Sequence, residues 1–257
     1  MPAPPLPARL FAPAKLTLHL RVTGVRDDGY HLIDAEMVTL DVGDDLWLDQ
    51  GAGLEVHGPD GVHVDTGDPA ENLVSRALLA AAVRAHVTVR KRVPPGAGLG
   101  GGSADAAAVL RWAGWRGTPA ELDRAAALGA DVPFCVVGGR ARVTGIGEEI
   151  TPLPDVERVL TIVTPPFGCS TPAVYARWDE LGGPAGAGGN DLEPAALDVD
   201  PRLVDWRDRL AALTGVAPRL AGSGSTWFFE GDHGAVLAGV PGAHVVRTVP
   251  AGYVPAP

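Results

Sequence analysis

Five of the seven residues from Gly96 to Gly102 are glycine, and this density constrains the chain more than any other feature. Upstream, Val87, Val89 and Val93 alternate with Thr88, Arg90 and Arg92, the period of a strand. Downstream, Ser103 is a good N-cap residue and Asp105 suits the positive end of a helix dipole. The run Ala106-Ala107-Ala108-Val109-Leu110 that follows is a strong helix former. A strand, a loop nearly free of Cβ atoms and a helix start therefore follow one another. The backbone can take positive φ there, and the first N–H groups of the helix point into the loop. Such a loop is a cradle for an anion such as phosphate.

Two familiar glycine loops fit less well. Gly96-x-Gly98-x-x-Gly101 matches the dinucleotide-binding pattern, but that fold needs the helix to lead into a second parallel strand. Here a second helix follows, because Thr118-Pro119-Ala120-Glu121 reads as an N-cap, a proline at the first helical position and a reciprocal Glu. The Walker pattern fails because no Lys-Ser or Lys-Thr follows the last glycine. A glycine-rich turn without a ligand would account for one or two of these glycines, not five.

At 257 residues, 46% of them apolar, the chain can hold one large domain or two modest ones. Its apolar runs are far too short to span a membrane, and Met1-Pro2-Ala3-Pro4-Pro5 lacks a basic region before an apolar one, so the cytoplasm is the expected compartment. A net charge of −10 argues against nucleic acid or an anionic membrane as partner. Cys135 and Cys169 lack metal spacing and read as buried free thiols. Of 21 basic residues only Lys15 and Lys91 are lysines. Where arginine meets every generic need for positive charge, a lysine has either a chemical reason or chance behind it.

Along the chain, Leu16, Leu18, Leu20 and Val22 alternate with Lys15, Thr17, His19 and Arg21, which predicts a strand with Lys15, Thr17 and His19 on its polar face. Arg26-Asp27-Asp28-Gly29-Tyr30-His31 is a turn. Strand-like segments run from Glu36 to Leu48 with a break at Asp41–Asp44, another covers Leu54–His57, and a helix opens at Asp68 and runs to about Ala85. Asp131 stands before a Val-Pro turn, where an Asp is usually a turn or cap residue. Gly138-Gly139 and Gly145-Ile146-Gly147 mark tight turns, Val159–Val163 a buried strand, Ser170-Thr171-Pro172 a helix start, and Pro201–Leu213 an amphipathic helix. Residues 182–189 read as a flexible connection. Leu220-Ala221-Gly222-Ser223-Gly224-Ser225 leads into a strand at Trp227-Phe228-Phe229.

The loop Pro95-Gly96-Ala97-Gly98-Leu99-Gly100-Gly101-Gly102-Ser103 resembles the second motif of the GHMP small-molecule kinases, the family of galacto-, homoserine, mevalonate and phosphomevalonate kinases. Ala12-Pro13-Ala14-Lys15-Leu16 resembles the first motif, and Gly129-Ala130-Asp131-Val132-Pro133 the stretch that supplies the catalytic aspartate. Leu220–Ser225 resembles the third motif, which in that family buttresses the phosphate loop and is otherwise only a loop into the next strand. Asp28-Gly29-Tyr30-His31 resembles, within that family, the kinases whose acceptor is a cytidine-diphosphate-linked methylerythritol.

The resemblance implies an α+β, two-domain GHMP kinase fold: a ribosomal-protein-S5-domain-2-like N-terminal domain over 1–153 and a GHMP C-terminal α/β sandwich domain over 154–257. It implies catalysis by Lys15 and Asp131, with Lys15 keeping Asp131 charged. ATP would be held by residues 95–103 (Pro95, Gly96, Ala97, Gly98, Leu99, Gly100, Gly101, Gly102 and Ser103), and Mg²⁺ would sit within reach of Ser103. Asn72 falls by the adenine pocket in the resembled family, and helix capping is its alternative role. The acceptor would be held by Thr17, Tyr30, His31 and Tyr175, the two tyrosines clasping the cytosine and His31 hydrogen-bonding it. The family usually has Asn where this chain has Thr17. A monomer or weak homodimer is expected. The competing expectations are a kinase for another small alcohol and a nucleotide-binding paralogue without activity.

Overall fold

The computed structural model describes residues 4–186 and 188–255. In chain order the strands and helices are β1 (Ala8–Val25), β2 (His31–Asp49), β3 (Gly53–His57), α1 (Leu73–Ala80), β4 (His86–Arg90), α2 (Gly101–Trp112), α3 (Pro119–Ala126), α4 (Val132–Val137), β5 (Arg140–Gly145) and β6 (Glu149–Pro152). A second lobe follows with β7 (Val159–Val163), α5 (Thr171–Glu180), α6 (Glu193–Val199), α7 (Arg202–Thr214), β8 (Arg219–Leu220), β9 (Trp227–Glu230), α8 (Gly234–Leu237) and β10 (Ala243–Val249).

The long hairpin β1–β2 is the frame. It turns through Arg26–Tyr30, where Gly29 has φ +85° and the Arg26 N–H donates to the Tyr30 carbonyl at 2.8 Å. β2 then pairs antiparallel with β4 and β5, and β3 adds to β4 in parallel. β10 pairs with β7 and also, at Thr248–Leu40 and Val249–Thr39, with β2, so the strands of both lobes form one ten-stranded sheet. At the break expected over Asp41–Asp44, β2 runs on as one strand, but its register against β1 shifts there, Pro13 facing Gly43 and Lys15 facing Thr39.

Two cores hold this frame. On one side Met37, Leu46 and Leu48 pack under α2, whose Ala104, Ala106, Ala107 and Ala108 are small enough to bring the helix close to the sheet. On the other, Leu16, Leu18, Val38 and Leu40 meet Leu160, Ile162, Phe228 and Val246 of the second lobe together with Val93, Ala97 and Leu99 of the glycine loop. The loop is thus packed into the junction between the lobes. Covering both faces explains why β1 departs from the expected alternation. Ala14 to Leu18 are all buried, with bulges at Pro13/Lys15 and Thr17/His19. Lys15 and Thr17, expected on a solvated polar face, are 5% and 2% exposed.

Candidate active site

The glycine loop leaves β4 and enters α2 through three residues with positive φ, Gly96, Gly98 and Gly100. Gly100 at +66° is itself the N-cap of α2; Ser103, expected to cap, lies in the first turn. The loop is wedged from outside. The Cys169 N–H donates to the Gly96 carbonyl at 3.2 Å and the Thr226 N–H to the Ala97 carbonyl at 3.1 Å, while a Cβ on Gly98 would lie 2.5 Å from the Gly224 carbonyl oxygen. The 221–225 turn therefore buttresses the loop, as its motif suggested. Asn190 holds that turn in place, its side-chain amide donating to the carbonyls of Leu220 (3.0 Å) and Gly222 (2.7 Å). Next to it Asp191 accepts from Arg21 at 2.5 Å and from the Val22 N–H at 3.0 Å, tying the second lobe to β1. Through these bonds and a Trp178-to-Pro184 hydrogen bond, residues on both sides of Ala187 in the 182–189 stretch are held to the body. Ala187 itself lies outside the described residues.

Lys15 threads in front of the loop. Its N–H donates to the Leu99 carbonyl at 3.0 Å, and a Cβ on Gly100 would lie 2.7 Å from its Cγ. Its ammonium reaches Asp131 at 3.1 Å and Thr17 Oγ1 at 3.2 Å. Asp131, expected as a turn or cap residue, is the N-cap residue of α4, with no capping hydrogen bond from its side chain.

Lys91 lies behind the loop. It pairs with Asp44 and, at 2.8 Å, with Asp105, and its Nζ would be 3.2 Å from a Cβ on Gly101. Asp105, read from the sequence as complementing the helix dipole, is 3% exposed, and its Oδ1 has no partner among the described residues. Burial pushes its carboxyl up to about 7, against the pull of Lys91 and with the help of Asp44. Burial works to lower the Lys91 ammonium, but Asp105 and Asp44 outweigh it and hold it above its ordinary value. Asp44 also accepts from the N–H groups of Arg92 and Val93, so this cluster fixes the strand end from which the loop departs.

Two cavities open on either side of Asp131. One of about 460 Å³ runs along residues 94–103 and is lined also by Asn72, Lys91 and Asp105. Asn72 both lines it and caps α1, its side-chain oxygen accepting the Val74 N–H at 2.9 Å; the helix therefore begins at Leu73 and not at Asp68. The other, of about 600 Å³, is lined by Lys15, Thr17, Tyr30, His31, Tyr175 and Asp179. Gly98, Ser103, Asp131 and Thr171 line both. The expected site residues from distant parts of the sequence thus come together. In the larger cavity the aromatic contact is His31 on Tyr175, ring centroids 4.6 Å apart, while Tyr30 stands 59% exposed. Burial raises the Tyr175 phenol above its ordinary range, and the charge of Asp131 adds to this. Sequence reasoning missed Asp179, which follows Tyr175 by one helical turn and lies 2.8 Å from His31; that i, i+4 spacing was its available signal.

Residues 72–139 match the family model described as the GHMP kinases N terminal domain. The 4-diphosphocytidyl-2-C-methyl-D-erythritol kinase of Dinoroseobacter shibae is 41% identical over 252 residues, covering 85% of this chain and 83% of its own. That of Paracoccus denitrificans is 39% identical, covering 87% of each. Among solved structures, a 4-(cytidine 5'-diphospho)-2C-methyl-D-erythritol kinase superimposes with a TM-score of 0.71 at 30% identity, over 94% of this chain and 99% of the other. Homoserine kinase from Cytophaga hutchinsonii shares the fold, with a TM-score of 0.57 at 18% identity. With its α+β lobes and the loop between them, the chain belongs to the GHMP kinases, and within them to the family of 4-diphosphocytidyl-2-C-methyl-D-erythritol kinases.

Proposed function

We propose that the chain transfers the γ-phosphoryl group of ATP to the 2-hydroxyl of 4-diphosphocytidyl-2-C-methyl-D-erythritol, a step of the non-mevalonate route to isoprenoid precursors. The observation that carries this reading is the meeting of two cavities at Asp131 and Ser103, one along a glycine loop and one lined by aromatic side chains. A phosphoryl donor and a hydroxyl acceptor bound in them face each other across Asp131.

Transfer of this kind depends chiefly on positioning and charge stabilisation. Asp131 accepts the hydroxyl proton as the oxygen bonds to the γ-phosphorus, and the bond to the bridging oxygen breaks to leave ADP. Lys15, 3.1 Å from Asp131, keeps that carboxylate oriented and supplies positive charge where the new alkoxide character develops. Backbone N–H groups of the loop and of the first turn of α2 hold the phosphates. Tyr30, His31 and Tyr175 hold the base, and Thr17 lies beside the reacting hydroxyl.

The donor set suits Mg²⁺. Ser103 lines both cavities beside Asp131, and its Oγ together with the phosphates would offer the ion hard oxygen ligands. When bound, it offsets the charge of the triphosphate. A boundary between the two domains at 153/154 falls between β6 and β7. No helix among the described residues is long and apolar enough to cross a membrane. We assign the cytoplasm as the compartment and a monomer or weak homodimer as the working form.

The test is phosphoryl transfer from ATP to the cytidine acceptor, measured beside homoserine and mevalonate, with wild type and Asp131→Asn. Turnover of the cytidine acceptor alone, abolished in Asp131→Asn while an ATP analogue still binds, is the expected result. Preference for another alcohol would refute the assignment, and full activity in the variant would refute Asp131 as base.

A further inference from the structure

We propose that Asp179 is a positioning residue that makes the larger cavity select cytosine over uracil, by fixing which ring nitrogen of His31 carries the proton. The inference rests on the reading that this cavity takes a cytidine diphosphate. His31 opens β2 and Asp179 lies in the last turn of α5, yet their side chains meet at 2.8 Å between Nε2 and Oδ1. The imidazole is only 11% exposed. It lies tilted at 38° on Tyr175, with the edge of Trp178 5.7 Å away at 82°. Its orientation is therefore set by three side chains of α5, Tyr175, Trp178 and Asp179.

A carboxylate offers only lone pairs, whereas a neutral imidazole carries one N–H and one lone pair. The hydrogen bond to Asp179 therefore places the proton on Nε2 and leaves Nδ1 as an acceptor. Among the described residues the ring makes no second hydrogen bond, and it lines the cavity. A base that binds there meets an acceptor with no protein partner. On its pairing edge cytosine has one donor, the 4-amine, because its N3 and O2 are both acceptors. Nδ1 can therefore pair with cytosine only through that amine. Uracil in the same pose presents its 4-carbonyl, setting acceptor against acceptor, and loses the bond as well as the solvation of both groups.

Replacing Asp179 by Asn removes this constraint while keeping the shape. An amide can accept from Nε2–H through its oxygen or donate to Nε2 through its nitrogen, so either tautomer is supported. Asp179→Glu restores a carboxylate on a longer arm.

The experiment is calorimetric titration with CDP and UDP at about pH 8, where free imidazole is neutral, on wild type, Asp179→Asn, Asp179→Glu and His31→Phe, with kcat and KM measured in parallel. Wild type is expected to prefer CDP. Asp179→Asn should narrow the CDP-to-UDP ratio about tenfold, raising KM for the cytidine acceptor with little change in kcat, and Asp179→Glu should regain part of the ratio. An unchanged ratio in Asp179→Asn, or an equal loss of both nucleotides, would overturn the inference. If His31→Phe narrowed the ratio and Asp179→Asn did not, the tautomer argument would fall and the cytidine reading would stand. Equal binding of CDP and UDP by wild type would overturn both.

Discussion

Lys91→Met is the sharpest probe of how the phosphate loop is held. The substitution keeps the length of the side chain and removes the ammonium shared by Asp44 and Asp105, whose side chains are 0% and 5% exposed. Asp44 keeps its two backbone donors from Arg92 and Val93, but Asp105 loses the hydrogen bond it has, its Oδ1 being already without one. Removing one partner of a buried ion pair costs roughly 3–5 kcal/mol, a large part of the 5–15 kcal/mol that holds a typical protein together. The pH dependence identifies Asp105 as the group responsible. Its folded carboxyl titrates at about 7, whereas an unfolded Asp titrates at about 3.9. Unfolding therefore releases its proton between about pH 4 and 7, and stability falls as pH rises through that window, by at most about 4 kcal/mol at 1.36 kcal/mol per unit. Urea unfolding at about pH 5, 7 and 8 should show a Lys91→Met deficit that grows with pH. Asp105→Asn should flatten the wild-type slope, and the double variant should recover much of the loss. An ATP-analogue titration should show weakened binding in Lys91→Met, because the loop loses the Lys91 bridge between Asp44 on β2 and Asp105 on α2. A Lys91→Met protein within about 1 kcal/mol of wild type at every pH, the size of one ordinary hydrogen bond, would refute the argument, as would an unchanged slope in Asp105→Asn.

Two further substitutions test the front of the loop and the base site. Gly100→Ala forces an L-residue into φ +66° and places its Cβ 2.7 Å from Lys15 Cγ, so about 1–2 kcal/mol of stability should be lost and kcat should fall at least about tenfold as Lys15 shifts; wild-type kcat would show that Lys15 does not need its present place. Tyr30→Ala should raise the dissociation constant for CDP roughly ten- to a hundredfold with Tyr30→Phe close to wild type, and neither should change unfolding because the ring is 59% exposed; a loss confined to the ATP analogue would place Tyr30 outside the base site.

What the sequence revealed was the chemistry that is local. The strand into the loop, the capping box of α3 at Thr118 and Glu121, and the Ser170 cap of α5 each rest on neighbouring residues, and each is found in the structure. The motif residues Lys15, Asp131, Tyr30, His31 and Tyr175 were named from the resemblance, and they do line one cavity. What stayed hidden depends on partners far along the chain. Asp105 reads as a helix-dipole residue until Lys91 and Asp44 are brought beside it. Lys15 and Thr17 read as a solvated face until the bulges of β1 and the second lobe bury both sides of the strand. β5 and β6 were obscured by the turn glycines at 138–139 and 145–147, and β10 by a pattern in which only Val246 is buried. Ser103 looked like the cap because Gly100, with no side chain to bond, gives no capping signal.

The scarcity of lysine also has a physical account. Both lysines of the chain flank the same glycine loop, Lys15 against Gly100 in front and Lys91 against Gly101 behind, each so close that an added Cβ would touch it. An ammonium is compact and directs three donors as its surroundings require, whereas a guanidinium is a planar fork. Lys15 uses one donor on Thr17 and one on Asp131, which leaves one for charge that develops on the substrates. Lys91 divides its donors between carboxylates on β2 and α2. In both places one ammonium is shared between partners on different elements or residues, a task for a compact charge with three directable donors. The Thr17 hydroxyl fits the same scheme, since as an acceptor 3.2 Å from Lys15 it can orient the ammonium much as an Asn carbonyl would. What a Thr cannot supply is the amide donor, so the departure from the family pattern falls on the substrate side of Lys15 and leaves the lysine itself in place.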